Sequence, residues 1–268
     1  MIHQLKISLI LSKIIFFSII FFPQELLARS CGNPNNLVTG ENTIFLVTYD
    51  LKKNNIIFGT NTNIFHRISD NLYSFEIYAC TSGIFKIKKD DRKESSLFEI
   101  KNGEVETYGY SFNRILKNRV DKVSTVFNSK DPSGKKLWPD GKCLSFSSIH
   151  NKDGKKEIKH KDSNCRALDR LSVQIDYREK LKSGEYDVEY FVIDKGRERK
   201  YIFELVDAQV IDTIFGKTET ILIKKIIENN KRNTLTWYAI NHAFIPVKIE
   251  QYRKKTLKFT AYLTGYTD

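Results

Sequence analysis

The sequence is poor in the residues that mark most recognisable chemistries. Its one methionine is the first residue, and 268 positions hold four cysteines, five prolines and two tryptophans. Five prolines and 13 glycines are too few for a collagen-like or linker-dominated chain. No Gly-x-Ser-x-Gly elbow, His-Glu-x-x-His helix or Gly-rich phosphate loop occurs, so no motif names a hydrolase, a zinc protease or a nucleotide-binding enzyme. Arginine is scarce beside lysine, 12 against 32. Readers of nucleic acid favour the bidentate arginine fork. The formal charge of +12 therefore reads as a solvated, lysine-rich surface with some attraction to anionic lipid or glycan, and not as nucleic-acid binding. What remains, 41% hydrophobic and 28% charged residues, is the composition of a globular protein.

The N-terminus has the form of an export signal. Lys6 precedes an apolar run from Ile7 to Phe22, Pro23 breaks it, and Ala28-Arg29-Ser30 supplies small residues for cleavage. Residues 1–30 are thus expected to be a signal peptide and the mature protein to be periplasmic or envelope-associated. Two variants stay open: a retained anchor, although Lys13 interrupts the run, and a lipidated Cys31. Export places Cys31, Cys80, Cys143 and Cys165 where disulfides form, and sequence proximity favours Cys143–Cys165 and Cys31–Cys80. The first bridge would close the polar, lysine-rich excursion around 150–164. His150 and His160 in the same stretch raise a zinc alternative, but no two candidate ligands lie within four residues of one another, so no metal or other cofactor is expected. His66 and His242 read as isolated turn or surface residues.

From Thr43 onward, period-two alternation dominates. Phe45, Val47 and Tyr49 alternate with polar neighbours, as do Tyr73, Phe75 and Ile77, then Tyr186, Val188, Tyr190 and Val192, then Ile245, Val247 and Ile249, and finally Leu257, Phe259 and Leu263. One dry and one wet face per strand predicts an antiparallel sheet. Turn residues separate the strands at Asn54-Asn55, Asp70-Asn71, Asn102-Gly103, Asp194-Lys-Gly196, Asn229-Asn230 and Arg253-Lys-Lys255. Ile221-Leu-Ile223, apolar on both faces, is expected beneath a helix. Leu168, Leu171, Ser172 and Ile175 place that helix at Ala167–Lys182, with Gly184 as its stop. The fold class is mainly β: a curved antiparallel sheet or incomplete barrel with one substantial helix packed on it, forming a single domain over residues 31–268. Asp169 and Ser172 could be read as a catalytic pair, but their expected role is to support the first helical turn and pack on the sheet. Trp237 is expected in the core.

Strand Phe45-Leu-Val-Thr-Tyr49, Asp169-Arg-Leu-Ser172 at the helix start, Tyr201-Ile-Phe-Glu-Leu205, Val210-Ile-Asp-Thr213 with Gly216, and Thr236-Trp-Tyr-Ala239 leading into Phe244-Ile-Pro-Val-Lys-Ile249 follow a familiar order. Over about 41–268 this resembles the bacterial cell-envelope family designated domain of unknown function three-one-zero-eight. The lysine-rich insertion is not part of that pattern. The family offers no catalytic residues to transfer, and the resemblance implies an exported, envelope-associated β-rich protein; a non-enzymatic role is the leading expectation. Its implied fold is similar to the half-barrels of periplasmic lipoprotein carriers. On such a sheet Phe45, Tyr73, Phe75, Tyr190, Phe203 and Phe259 would share a concave face and bind a lipid, a lipidated protein or another apolar ligand. Two other functions stay open: a protein–protein scaffold or assembly factor with a packed interior, whose partner is an envelope protein, and a hydrolase or glycan enzyme.

Overall fold

The computed structural model describes residues 42–129, 142–164 and 166–268. The leader, Cys31 and Cys165 lie outside these residues, as does the side chain of Cys143, so both expected disulfides fall there too. Cys80 is buried, with its sulfur 3.6 Å from the Thr60 hydroxyl.

Fifteen strands form one sheet. The first arm runs β1 (Thr43–Lys53), β2 (Ile56–Arg67), β3 (Leu72–Thr81), β4 (Asp90–Lys101), β5 (Glu104–Leu116), β6 (Arg119–Ser129), β7 (Lys142–Lys152) and β8 (Lys155–Asn164). The short β9 (Leu168–Asp169) and the helix α1 (Ser172–Lys182) follow. The second arm runs β10 (Val188–Asp194), β11 (Arg197–Thr213), β12 (Gly216–Ile227), β13 (Arg232–Ala239), β14 (Ile245–Arg253) and β15 (Thr256–Thr267). β1 pairs with β15 at the centre, so the arms grow outward from the first and last strands and end at the two edges, β8 and β9. Every pairing is antiparallel except that of β9 with β10. The alternation in the sequence is the cause. In β1, Phe45, Val47 and Tyr49 are buried, and their register partners across the sheet continue the dry face through Phe65 and Phe75 on one side and Leu263 on the other. Asn54 and Asn55 both take left-handed backbone angles, φ 50° and 63°, as a two-residue hairpin turn twisted to suit its strands requires.

The lysine-rich stretch is a hairpin, not a loop. β7 and β8 pair from Lys142↔Asn164 to Lys152↔Lys155 around Asp153-Gly154. Its register also separates the two histidines of the zinc alternative: Ser147 faces His160 and Glu157 faces His150. Three rungs, roughly 10 Å of strand, lie between them.

The helix begins five residues later than its sequence spacing suggests. Leu168 and Asp169 instead pair with Val192 and Ile193 as a strand. Asp169 then turns the chain into α1: its Oδ1 accepts the backbone N–H groups of Leu171 (2.6 Å) and Ser172 (3.1 Å), and its Oδ2 accepts the Ser96 hydroxyl of β4. The Ser172 Oγ lies 2.8 Å from the Thr107 Oγ1 of β5. The strand-to-helix corner is thereby fastened to two strands of the opposite arm. At the other end Gly184, φ 79°, lets its N–H and that of Glu185 reach the carbonyls of Leu181 and Lys180.

The helix separates two apolar clusters. Leu171 and Ile175 join the larger, with Phe45, Phe65, Phe98, Phe112 and Val247. Val173, Tyr177 and Leu181 join the second, with Val192, Phe203, Ile221, Ile223 and Tyr238. Val192 and Ile193, neighbours on opposite faces of β10, are both fully buried and belong to different clusters. At Val192 and Ile193 β10 is therefore covered on both sides, and the sheet curls over its own edge, while Glu189 and Phe191 earlier in the strand stay exposed.

Asp169 is wholly enclosed, and burial pushes its carboxyl up to about 6 despite the hydrogen bonds from Ser96, Leu171 and Ser172. Replacing it with alanine strands three donors. Chemical denaturation of Asp169→Ala should show a loss of about 2–4 kcal/mol, with Asp169→Asn recovering most of it. The sign with pH is also fixed. A raised folded pKa means that the native state holds the proton more tightly, so this stabilisation is complete below pH 3.8 and is lost as pH rises through about 6. The wild type should lose about 3 kcal/mol across that window relative to Asp169→Asn. Parallel curves for the two proteins would refute the assignment.

Candidate functional site

The six aromatic residues expected to share a concave face divide into two groups. Phe45, Tyr73 and Phe75 lie together in the larger cluster, where Phe65 stands 5.3 Å from Phe45, 5.4 Å from Tyr73 and 6.3 Å from Phe75, ring to ring. Tyr190 and Phe203 lie in the second cluster, where Phe203 stacks on Tyr177 of the helix at 4.1 Å. Phe259, partly buried and 6.2 Å from Phe58, packs against the larger cluster near one end of the sheet. Both groups are packed against their own neighbours. Phe75 is 3% exposed, Phe203 4% and Phe98, which stacks on Phe65, 0%.

α1 fills the curl. Beyond its two apolar faces it carries Arg178, whose guanidinium lies 4.7 Å from the Phe45 ring and donates to the Ala243 carbonyl at 2.8 Å. Burial draws the Arg178 pKa below its ordinary value, and nearby Tyr49 acts in the opposite direction. The cation thus rests on aromatic faces and a carbonyl where helix meets β1.

A polar seam runs where the arms overlap. Glu94 of β4 accepts the Tyr110 hydroxyl at 2.7 Å and lies 3.7 Å from Arg170. Arg170 continues to Asp194 at 3.8 Å, and Asp194 to Arg199 at 3.5 Å. Further along, Asp121 of β6 holds His150 at 2.6 Å and Lys195 at 2.8 Å, and Ser163 of β8 donates to Glu198. Glu94 raises the Arg170 pKa well above its ordinary value. Burial, helped by Arg170, lowers Lys225 of β12 to about 8. The acids of this seam are absent from the sequence-based expectations, because each reads as the wet face of its strand, and His150 entered those expectations as a zinc ligand and not as the partner of Asp121. Only the curl turns those wet faces toward one another, and no local pattern announces it.

Several of these polar groups are engaged within the fold. Asp169, Ser96 and Ser172 bring a carboxyl and two hydroxyls together, but Asp169 and Ser172 are 0% exposed and Ser96 1%, and all are spent on the helix start. Trp237 is buried, donates its indole N–H to Gln209 at 2.8 Å and carries the Lys248 ammonium 4.1 Å from its ring centre. A cleft of about 210 Å³ opens beside β6, β7 and β8, lined by Asn128, Ser147, His160 and Asp162 around Phe146. Its surface mixes polar and apolar atoms, and it is smaller than ligand sites of roughly 300 Å³ and above. Among the described residues no group of three or more histidine, cysteine, aspartate or glutamate side chains converges as metal ligands would.

Comparison with known proteins agrees with this architecture. A search of curated proteins finds no match. Among solved structures, a beta-barrel-like protein of domain of unknown function DUF1849 from Brucella abortus superposes with a TM-score of 0.53 at 8% identity. The alignment covers 84% of this chain and 97% of that one, and at such identity it shows a shared barrel-like fold. Residues 45–263, from the first buried phenylalanine of β1 to the last buried leucine of β15, match the model of a family described as protein of unknown function, DUF3108. The chain belongs to the DUF3108 family.

Proposed function

We propose that this chain is a non-catalytic envelope protein that works through its outer surface, as a docking or assembly factor. The observation that carries this reading is the occupied curl: α1 and two sets of stacked rings take the space a ligand would need. Carriage of an apolar ligand would require α1 to leave. That would break the Asp169–Ser96 and Ser172–Thr107 contacts and expose Val173, Tyr177 and Leu181, which are 0–1% exposed. Burial of such side chains contributes on the order of 2 kcal/mol each. The reading of residues 1–30 as an export signal supports an envelope location.

Native mass spectrometry of the protein from envelope extract should give the mass of the polypeptide without lipid. A stoichiometric lipid adduct would replace this reading with a carrier. Phe75 supplies the second arm. As a core side chain, Phe75→Ala should lower stability by about 3–5 kcal/mol. Glu189→Ala, on the exposed face of β10 beside Lys200, should change it by less than about 0.5 kcal/mol.

A further inference from the structure

Because the strands alternate in direction, their connections fall at two ends of the sheet, and the charge is not shared between them. One end gathers seven connections, residues 52–57, 83–89, 117–119, 152–155, 194–197, 228–232 and 253–258. They contain seventeen basic residues and three acidic ones. Two of those acids are engaged, Asp153 by Arg119 and Asp194 by Arg170 and Arg199. The described hairpin connections at the other end, 67–72, 101–104, 212–217 and 239–245, hold three basic and three acidic residues.

The basic end is also apolar. A short 3-10 helix, Gly83–Lys88, links β3 to β4 and presents Ile84 and Ile87, 78% and 89% exposed, more than any other large hydrophobic side chain described. Their i, i+3 spacing puts both on one side of that turn. Ile56 and Ile57 after the β1–β2 turn are 58% and 43% exposed, and Leu257 after the β14–β15 turn is 42%. The pairings Gly59↔Thr81 and Lys52↔Thr260 set these three connections side by side. Beneath them, Phe58 holds Phe85 and Phe259 at 6.4 and 6.2 Å, so the ridge stands on a ring-packed base. Exposed Lys53, Lys86, Lys89, Lys254, Lys255 and Lys258 surround it.

We propose that this end is a membrane-docking face that seats the protein on a bilayer bearing anionic phospholipids. The isoleucines enter the interfacial region, and the lysines gather around the headgroup phosphates. A convex ridge enters a soft interface, whereas a folded protein partner would require a matching groove. Lysines on flexible stems suit mobile headgroups, where arginine forks would suit fixed carboxylates. Apolar insertion combined with lysine attraction is the recognised composition of a peripheral membrane contact. The inference rests on the surface-acting reading in one respect, that the working face lies outside the curl.

The test is co-sedimentation of the chain purified from the envelope with vesicles of phosphatidylethanolamine and phosphatidylglycerol, beside pure phosphatidylcholine vesicles. Binding should be confined to the anionic vesicles and fall at least ~10-fold in high salt. The double variants Ile84→Asp/Ile87→Asp and Lys254→Glu/Lys255→Glu should each weaken it ~10-fold or more. Their thermal melts should match the wild type, since all four side chains are exposed. Ile68→Asp, an exposed isoleucine at the opposite end, should bind as the wild type does. Failure to bind anionic vesicles, equal binding to phosphatidylcholine, or indifference to both double variants overturns the proposal. So does an envelope protein captured through Ile84 and Ile87 in the absence of vesicle binding. An internal lipid found by native mass spectrometry, with vesicle binding still lost in the ridge variants, would refute the surface-acting reading alone.

Discussion

Three residues hold this fold in its shape. β8 and β9 are opposite edges of a fifteen-stranded sheet, yet only residues 165–167 join Asn164 to Leu168. Laid flat, fifteen strands would span roughly 67 Å at about 4.8 Å per pairing. Four Cα steps reach ~14 Å. The sheet therefore has to roll until its edges nearly meet, and its right-handed twist supplies the direction in which a large sheet rolls. The edges do not pair with each other. β9 instead tucks beneath β4 and β5, where Ser96 and Thr107 meet Asp169 and Ser172. That overlap is why β10 is dry on both faces at Val192 and Ile193 and why the molecule is a curl and not a closed barrel.

The overlap brings together surfaces of unlike character. Toward the helix it is apolar, and burial of large side chains there supplies the stabilisation. Along the outer seam it joins Glu94, Asp121 and Asp194 to Arg170, Lys195 and Arg199. Partly buried ion pairs of this kind lose hydration energy in forming and add little net stability. Their contribution is to register, since a slip of one residue in β10 or β11 would leave charges facing apolar side chains. Asp169 shows the same balance at a single group, because an enclosed carboxyl surrounded by donors still resists ionisation.

The sequence conveys local structure well because local structure is what period and turn chemistry encode. Alternation located β1, β3, β10, β14 and β15, and the burial of Ile221, Leu222 and Ile223 on both faces of β12 was legible as a helix contact. It was least legible where the period fails. β8 reads Lys-Lys-Glu-Ile-Lys-His-Lys-Asp-Ser-Asn, polar on both faces because it is an edge strand, and so resembles a loop. Leu168 belongs to the helical spacing of Leu171 and Ile175, and only its pairing with Val192 makes it a strand. Aromatic alternation identified a dry face but could not tell an open concavity from one filled by α1, because the filling depends on contacts between residues far apart in the chain. The seam was illegible for the same reason: Glu94 meets Arg170 across 76 positions.

The net charge shows how topology turns composition into a property. Read along the chain, the lysines are scattered and indicate only a solvated surface. Antiparallel strands sort their connections by parity, however, so every second connection arrives at the same end. Among the described hairpin connections, those at one end carry the lysines and arginines, and those at the other are balanced. A charge asymmetry of this kind orients a molecule before contact, over distances comparable to the screening length of about 8–10 Å, and so selects which end meets a negatively charged surface. Ile84 and Ile87 stand on that end. An apolar ridge placed at random would present a general hazard of association. Set among cations at the leading end of an oriented molecule, it meets a charged interface first, so the arrangement that gives the ridge a partner also keeps it from indiscriminate contact.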